Sequence, residues 1–361
     1  MTQHQRGAGG PRKRRRIRGR VALAGVLAGA LAAVVACAPA DEGAGPGGAG
    51  ASAAAVDTAG SAGSGDGYVR PSAEGGALVV GDTIPGHPSW TEQDWEVLAA
   101  TVRWARDGQV ATLPIGERIA TLGRHFVGTP YLPRTLDPPG PERLVVNLRA
   151  LDCVTFVENM IALARFVEEA PADVLDHRDR ALELYSGILT DLRYRGGALN
   201  GYASRLHYFS EWLQDAEAKG LVEVVTREIG GVVDPEPIHF MTDHRDAYPQ
   251  LAEPATFARI AEIEDSLAAR TRYYVTEDRV AEVQGRIRTG DVIAATSTLG
   301  GLDVAHTGIA LWEGDVLHLM HAPLVGQDVQ ISERPLAERL LGIEGQDGIM
   351  VGRPLPVEGG R

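Results

Sequence analysis

The chain contains 361 residues and carries a formal net charge of −13 at pH 7. An acidic balance of this size argues against nucleic-acid binding and against general adhesion to anionic polymers of the cell envelope. The length leaves room for one large domain or two small ones.

The N-terminus has the pattern of an export signal. Residues 1–36 combine a basic segment with an apolar segment, 21–36, that is too short for a comfortable membrane span. The apolar segment ends at Val34-Val35-Ala36-Cys37, which resembles a lipobox and predicts that Cys37 is acylated and becomes the mature N-terminus. The alternative is an ordinary signal peptide cut nearby, because Ala36 and Ala38 also suit a small-residue cleavage site. Removal of residues 1–36 deletes eight Lys/Arg and no Asp/Glu, so the net charge of −13 becomes −21.

The next segment, 37–78, is mostly Gly, Ala and Ser, and this composition predicts a flexible tether. Residues 79–361 contain no repeat, no second hydrophobic span and no long break, so they are expected to form one elaborated catalytic domain. With Cys37 acylated, Cys153 is the one thiol of the exported chain and has no cysteine to pair with.

Hydrophobic periodicity predicts helices first and a cluster of short strands last, which is an α+β arrangement. Helices are expected over 90–122 (divided near Pro114 and Gly116), 153–169, 172–193, 204–219 and 253–269. Strands are expected over 221–226, 238–241, 291–296, 304–312, 316–321 and 329–332.

Cys153 stands where an apolar helical pattern begins, and Asp152 before it is a good N-cap. A thiol in the first turn of a helix faces unpaired backbone N–H groups and the positive end of the helix dipole, which favour the thiolate. This position indicates a nucleophile. A buried structural cysteine is the alternative.

A cysteine nucleophile needs a base within hydrogen-bond reach and a third group that orients the base. His306 lies in a late strand, and Gly308 two positions along leaves room on that face for another group or a substrate. His318 and His321 in the next strand point to opposite faces, because their separation is odd. His321 shares its face with apolar neighbours, which favours an inward orientation, although either histidine could serve.

Five short motifs follow one another along the chain: Gly128-x-Pro130-Tyr131, Asp152-Cys153 at a helix start, Gly290-Asp291-Val292, His306-x-Gly308-Ile309 and His321-Ala322. In order and residue type they resemble the NlpC/p60 superfamily of papain-like cell-wall hydrolases, over about 90–351. The resemblance implies helices packed on a small antiparallel sheet. Here a large, mainly helical insertion would separate the nucleophile helix from the histidine strands. That long separation, and Cys153-Val154-Thr155 in place of Cys-Ser-Gly, look like the N-acetylmuramoyl-L-alanine amidase-like branch.

The resemblance also implies roles for individual residues. Cys153 would be the nucleophile, His306 the base and His321 the orienting residue, with His318 as the competitor for that last role. Tyr131 would place its hydroxyl near the oxyanion or the thiol. No cofactor and no metal are implied.

The insertion offers charged and aromatic side chains that could contact a substrate with carboxylates and a sugar ring. These candidates are Tyr202, Arg205, His207, Tyr208 and Trp212. The alternative for each is a helix with a solvated face and aromatic core positions.

The function expected from the resemblance is that of an envelope-anchored cysteine amidase. It would cleave the amide between N-acetylmuramic acid, in its anhydro form, and L-alanine in peptidoglycan fragments. The alternatives are a γ-D-glutamyl–diamino acid endopeptidase on the same fragments, a zinc amidase using His318 and His321, and an inactive muropeptide-binding lipoprotein. Zinc is disfavoured because two histidines three apart on a strand would not share one ion. The expected location is the cell envelope, with a membrane anchor on the periplasmic or outer side.

Overall fold

A computed structural model describes residues 83–324 and 328–357. The predicted signal peptide, Cys37 and the whole predicted tether lie outside these residues. Within them, no helix is both long enough and apolar enough to cross a membrane.

Nine α-helices are found in the described ranges. They are α1 (Glu92–Asp107), α2 (Ile115–His125), α3 (Cys153–Glu169), α4 (Arg178–Arg193), α5 (Phe209–Ala218), α6 (Phe240–Asp243), α7 (Pro254–Ala268), α8 (Val280–Val283) and α9 (Leu336–Leu341). The strands are β1 (Thr83–Ile84), β2 (His87–Thr91), β3 (Val222–Val224), β4 (Val232–Asp234), β5 (Arg272–Thr276), β6 (Val292–Ser297), β7 (Val304–Glu313), β8 (Val316–His321), β9 (Gln330–Ile331) and β10 (Gln346–Pro354). The α+β prediction agrees with this arrangement.

The main sheet has eight strands in the order β4-β5-β10-β6-β7-β8-β9, with β3 also pairing with β10. Every strand pair in it is antiparallel. The sheet is therefore larger than the small sheet expected. The segment between α3 and β7 is rich in helices, but it also contributes β3 to β6.

Helices cover the sheet on both faces. Successive residues of each strand point to opposite sides, so one strand contributes side chains to two different cores. On one face, Ile309 and Met320 join the core built around α3. On the other face, Ala310 and Leu319 pack with Leu336 of α9. A third core lies in the segment that holds α6 and α7. The cleft described below is lined by residues of the first and the third of these cores.

Two predicted elements differ from the structure. The predicted strand at 238–241 is wrong: Ile238 makes only an isolated bridge with Gly301, and the chain turns at once into α6. The helix predicted from 204 begins only at Phe209, because Asp303 accepts a hydrogen bond from the backbone N–H of Ser210 at 2.7 Å and so caps the helix there.

Candidate active site

Cys153 is the first residue of α3, and a capping box fixes that start. The Thr155 N–H donates to Asp152 Oδ1 at 2.8 Å, and the Asp152 N–H donates to Thr155 Oγ1 at 2.8 Å. Two backbone donors at the helix start are satisfied reciprocally in this way. The threonine that replaces the glycine of Cys-Ser-Gly therefore has a local function, which is to set where the helix begins.

His306 and His321 are hydrogen-bonded to each other. His306 Nε2 lies 2.8 Å from His321 Nδ1, and the two rings are nearly perpendicular at 89°. The strands that carry them, β7 and β8, pair with Ile309 opposite Met320. The same alignment places His321 opposite Gly308, two residues from His306 along β7. The two histidines are therefore diagonal neighbours, within side-chain reach. Both side chains are buried.

Burial lowers the pKa of both histidines. For His306, desolvation is the main cause, and the charges of His321 and Arg339 add to it, so the pKa lies well below its ordinary value. For His321, desolvation and then Arg339 lower the pKa to about 3. Both rings are therefore neutral at pH 7, and each has a ring nitrogen able to accept a proton.

His318 occupies a different environment. It is half-buried, and its Nδ1 lies 2.8 Å from the backbone carbonyl oxygen of Ser332. It is separated from His321 by three positions on the same strand and so points to the opposite face. The structure joins His321, and not His318, to His306.

Helix α3 and strand β7, which carries His306, are tied directly to each other. Thr307 Oγ1 donates to the backbone carbonyl oxygen of Cys153 at 2.7 Å. Of the two alternatives for Gly308, another group or a substrate, the structure shows the first, because a Cβ there would lie 2.8 Å from the Leu319 side chain and 2.7 Å from the Met320 carbonyl oxygen. The glycine permits close packing within the sheet.

Cys153 and His306 line the same cleft, which has a volume of about 140 Å³. Its walls are the start of α3, residues 302–307 at the start of β7, and parts of the segments 134–137, 202–209 and 247–250. This cleft is the candidate active site, and its lining includes residues of the core around α3 and of the core that holds α6 and α7.

A buried ion pair lies beside the cysteine. Glu158 and Arg193 both line the cleft, are each only 2% exposed at the side chain, and approach to 2.8 Å. The Arg193 guanidinium also donates to the Val145 carbonyl oxygen at 2.5 Å. Glu158 is the one charged residue between Cys153 and Ala164 of α3, and this was the signal that could have identified the pair from the sequence. Its removal would leave an uncompensated buried charge.

Of the five predicted substrate contacts, Tyr202, Arg205 and His207 line the cleft. Tyr208 does not: its hydroxyl is 2.6 Å from Glu264 and accepts a hydrogen bond from the Met241 N–H at 2.9 Å, within the interior. Trp212 is also absent from the cleft lining.

The indole of Trp212 is 1% exposed and stacks on Phe209 with ring centroids 4.8 Å apart. The aromatic core interpretation, which was the alternative in the sequence, therefore describes Tyr208 and Trp212.

Arg205 is engaged by the protein itself. Its guanidinium pairs with Asp137, donates to the Leu136 carbonyl oxygen at 2.6 Å and lies 3.7 Å from Glu142. It also lies over the Tyr202 ring, 5.0 Å from the centroid. Through these contacts Arg205 holds the 134–137 segment in place, and its guanidinium is not free to bind a substrate carboxylate.

Arg134, which the sequence did not single out, lines the cleft and is exposed. Its φ of 62° is in the left-handed region, which costs a residue with a side chain roughly 1–2 kcal/mol. The Asp137 N–H donates to the Arg134 carbonyl oxygen at 3.1 Å and closes the turn. The sequence gives no local sign of this conformation, because Gly or Asn would be expected there.

Tyr131 lies beside the nucleophile through its backbone. It forms a bridge with Leu151, two positions before Cys153, and its ring is buried. It is not among the residues that line the cleft. The role expected for its hydroxyl stays a prediction. Over 83–324 and 328–357, no group of three His, Cys, Asp or Glu side chains is placed as metal ligands would be.

Comparison with known proteins agrees with this arrangement. The family model described as AmiA-like, N-acetylmuramoyl-L-alanine amidase-like, matches residues 121–345. A structure of an N-acetylmuramoyl-L-alanine amidase from Bacteroides uniformis is 32% identical and has a TM-score of 0.61; the match covers 67% of this chain and 99% of that chain. A Bacteroides fragilis structure named as a candidate xylanase is 33% identical, with a TM-score of 0.59 and coverage of 64% and 98%.

A Legionella pneumophila protein is 18% identical with a TM-score of 0.51, over 72% of this chain and 95% of that chain, and so shares the fold. None of the curated proteins matches this chain. The matched segment contains α3, both histidine strands and most of the cleft. The matching family and the Bacteroides uniformis neighbour support a hydrolase. The chain belongs to the AmiA-like, N-acetylmuramoyl-L-alanine amidase-like family.

Proposed function

We propose that this protein is a papain-like cysteine hydrolase of the NlpC/p60 type, with Cys153 as nucleophile, His306 as base and His321 as orienting residue. The observation that carries the proposal is the 2.8 Å contact between His306 Nε2 and His321 Nδ1 in a cleft that Cys153 also lines. A base held by a third group next to a nucleophile is the arrangement that acyl transfer needs.

The contact between the histidines assigns the ring nitrogens. His306 Nε2 is engaged by His321, so Nδ1 is the nitrogen left for the thiol proton. Nε2 must then carry a proton and donate to His321 Nδ1, which accepts. The lowered pKa of His321 suits this role, because a neutral ring keeps the lone pair on Nδ1 at pH 7.

The reaction then proceeds in two stages. The Cys153 thiol loses its proton to His306, and the sulfur attacks the amide carbonyl carbon. Backbone N–H groups at the start of α3 stabilise the oxyanion. His306 gives the proton to the leaving amine as the C–N bond breaks, which leaves a thioester on Cys153. His306 then takes a proton from water as the water oxygen attacks the thioester carbonyl carbon. The C–S bond breaks, the acid product leaves, and His306 returns the proton to the Cys153 sulfur.

The substrate we propose is a peptidoglycan fragment, cleaved at the amide between N-acetylmuramic acid, in the anhydro form, and L-alanine. The family description and the name of the Bacteroides uniformis structure support this bond. Cleavage of the γ-D-glutamyl–diamino acid bond in the same fragments is the second candidate, since the same chemistry would serve there.

Glycoside hydrolysis, which the Bacteroides fragilis name raises, fits the cleft poorly. It requires two carboxyl groups free to act as acid and as base or nucleophile. The carboxylates that line the cleft are all engaged by the protein. Asp137 pairs with Arg205, and Glu158 pairs with Arg193. Asp152 accepts from the Thr155 N–H in the first turn of α3, and Asp303 accepts from the Ser210 N–H in the first turn of α5.

Mass spectrometry of products from a defined anhydro-muramyl tripeptide tests the proposal. We expect a free anhydro-sugar and an intact tripeptide with an N-terminal L-alanine, and turnover that survives a strong chelator. A muramyl dipeptide plus a free diamino acid would instead show the endopeptidase. Loss of turnover on chelation would support a zinc amidase, and no turnover of any muropeptide would leave an inactive binding protein.

We further propose that the protein is a lipoprotein of the cell envelope, anchored through Cys37. The support is the lipobox-like sequence at 34–37 followed by a tether of small residues. Cys37→Ala is expected to release the protein from the membrane fraction and to leave the specific activity unchanged, because the tether separates the anchor from the domain. Fractionation followed by activity assay checks this. If the variant stays with the membranes as the parent does, the anchor is elsewhere.

A further inference from the structure

The charged side chains that line the cleft are engaged within the protein, with one exception. All four carboxylates have the partners given above, and the guanidinium groups of Arg193 and Arg205 are held by two of them. Arg134 lines the cleft, and no hydrogen bond or ion pair of its side chain is found within the described chain. The cleft therefore presents one unneutralised positive charge in a protein that is acidic as a whole.

The backbone at Arg134 is held in place rather than free to relax. Its turn is closed by the Asp137 N–H, and Asp137 and Leu136 are in turn clamped by the buried guanidinium of Arg205. A left-handed residue persists only when its surroundings impose it, and such residues cluster at ligand-binding sites. A glycine would adopt this backbone conformation at a lower free-energy cost. The presence of an arginine here therefore indicates a function for its side chain.

A second polar group in the cleft lining lacks a partner. Tyr248 is 9% exposed, and its hydroxyl has no hydrogen bond within the described chain. Burial first, and then Tyr202, Glu264 and Asp137, raise its pKa, so the hydroxyl keeps its proton and can donate. Tyr248 lines the same cleft as Arg134 and Asp137. A buried donor without a partner is unfavourable, and a ligand oxygen would relieve it.

We propose that Arg134, assisted by the Tyr248 hydroxyl, binds a free carboxylate of the substrate peptide and so determines specificity. This rests on the proposed function. The carboxylate is the α-carboxylate of the glutamyl residue next to L-alanine, which is free because that residue is linked through its side chain. A guanidinium matches a carboxylate with two parallel hydrogen bonds, which an ammonium cannot reproduce.

The test compares two anhydro-muramyl tripeptides that differ only in whether this carboxylate is free or converted to the carboxamide. The wild-type protein is expected to prefer the carboxylate form in kcat/KM by roughly 10- to 100-fold, the range for a hydrogen-bonded charge. Arg134→Gln should remove this preference, chiefly by raising KM for the carboxylate substrate. Tyr248→Phe should reduce the preference only in part.

Two further variants separate binding from folding. Arg134→Gly suits the left-handed backbone and should lose the preference without losing thermal stability. Arg103→Gln removes an exposed arginine on α1, outside the cleft lining, and should change neither substrate. If Arg134→Gln weakens both substrates equally, or neither, the carboxylate subsite is wrong.

Binding to a Cys153→Ala protein, measured by calorimetry, keeps the proposal distinct from the chemistry. A preference for the carboxylate fragment that disappears on adding Arg134→Gln supports the subsite even where the wild-type protein cuts another bond. Equal affinity for the two fragments overturns the subsite, whatever the reaction is.

Discussion

Replacing Cys153 by Ala is expected to lower hydrolysis by roughly 10⁴-fold or more, the scale of removing a covalent nucleophile. Neither His306 nor His321 can substitute for the sulfur, because in the proposed mechanism both act on protons. The folded structure should persist, since the change removes one buried sulfur and leaves the capping box of Asp152 and Thr155 intact. Steady-state turnover and a thermal melt of the same preparation measure the two effects.

Val157→Ala provides the matched control. Val157 is fully buried in the same helix, one turn beyond Cys153, and its truncation creates a small cavity. We expect this variant to lose more stability than Cys153→Ala and yet to keep most of its turnover. Near wild-type turnover by Cys153→Ala would end the cysteine mechanism.

Replacing His321 by Ala is expected to lower kcat by roughly 10²- to 10⁴-fold, the range of general acid–base contributions. Without His321, nothing accepts from His306 Nε2, and His306 is no longer held with Nδ1 toward the thiol. The effect should fall on kcat more than on KM, because the ring orients the base and is not placed on the substrate.

His318→Ala is the comparison for His321. His318 contacts the backbone of Ser332 and no catalytic candidate, so its loss should cost a modest amount of stability and little rate. Both variants are measured on one substrate with melts alongside. A crippled His318→Ala beside an active His321→Ala would reverse the assignment of the orienting residue.

The start of α3 could be predicted from the sequence because its determinants are local. Asp152 and Thr155 are three positions apart and cap the helix by themselves. The opposite facing of His318 and His321 was also predictable, because it follows from the two-residue period of a strand. Their distance from His306 was not, since it depends on how β7 is aligned with β8 and on an irregularity between β6 and β7.

The rest of the fold depends on contacts that no local pattern reveals. The central strand β10 was missed because Gly348 and Gly352 interrupt its pattern, yet a Cβ at Gly348 would lie 2.2 Å from the Val275 carbonyl oxygen of β5. Likewise, the sequence suggested that Arg205 binds substrate, whereas the tertiary structure pairs it with Asp137. The Arg134 side chain is the one left without a hydrogen bond or ion pair within the described chain. Contacts between segments far apart in sequence decide which of the two arginines is paired inside the protein.

The hydrogen bond from Thr307 to the Cys153 carbonyl oxygen joins residues 154 positions apart. Closing a chain loop of that length costs about 4.5 kcal/mol of conformational entropy beyond a constant, from (3/2)RT ln n. Contacts at such separation form late and slow the folding of a domain. A chain still emerging during synthesis therefore carries the thiol long before either histidine exists. Under the proposed mechanism, a chain interrupted anywhere before β7 lacks both His306 and His321 and is therefore expected to be inactive on muropeptides.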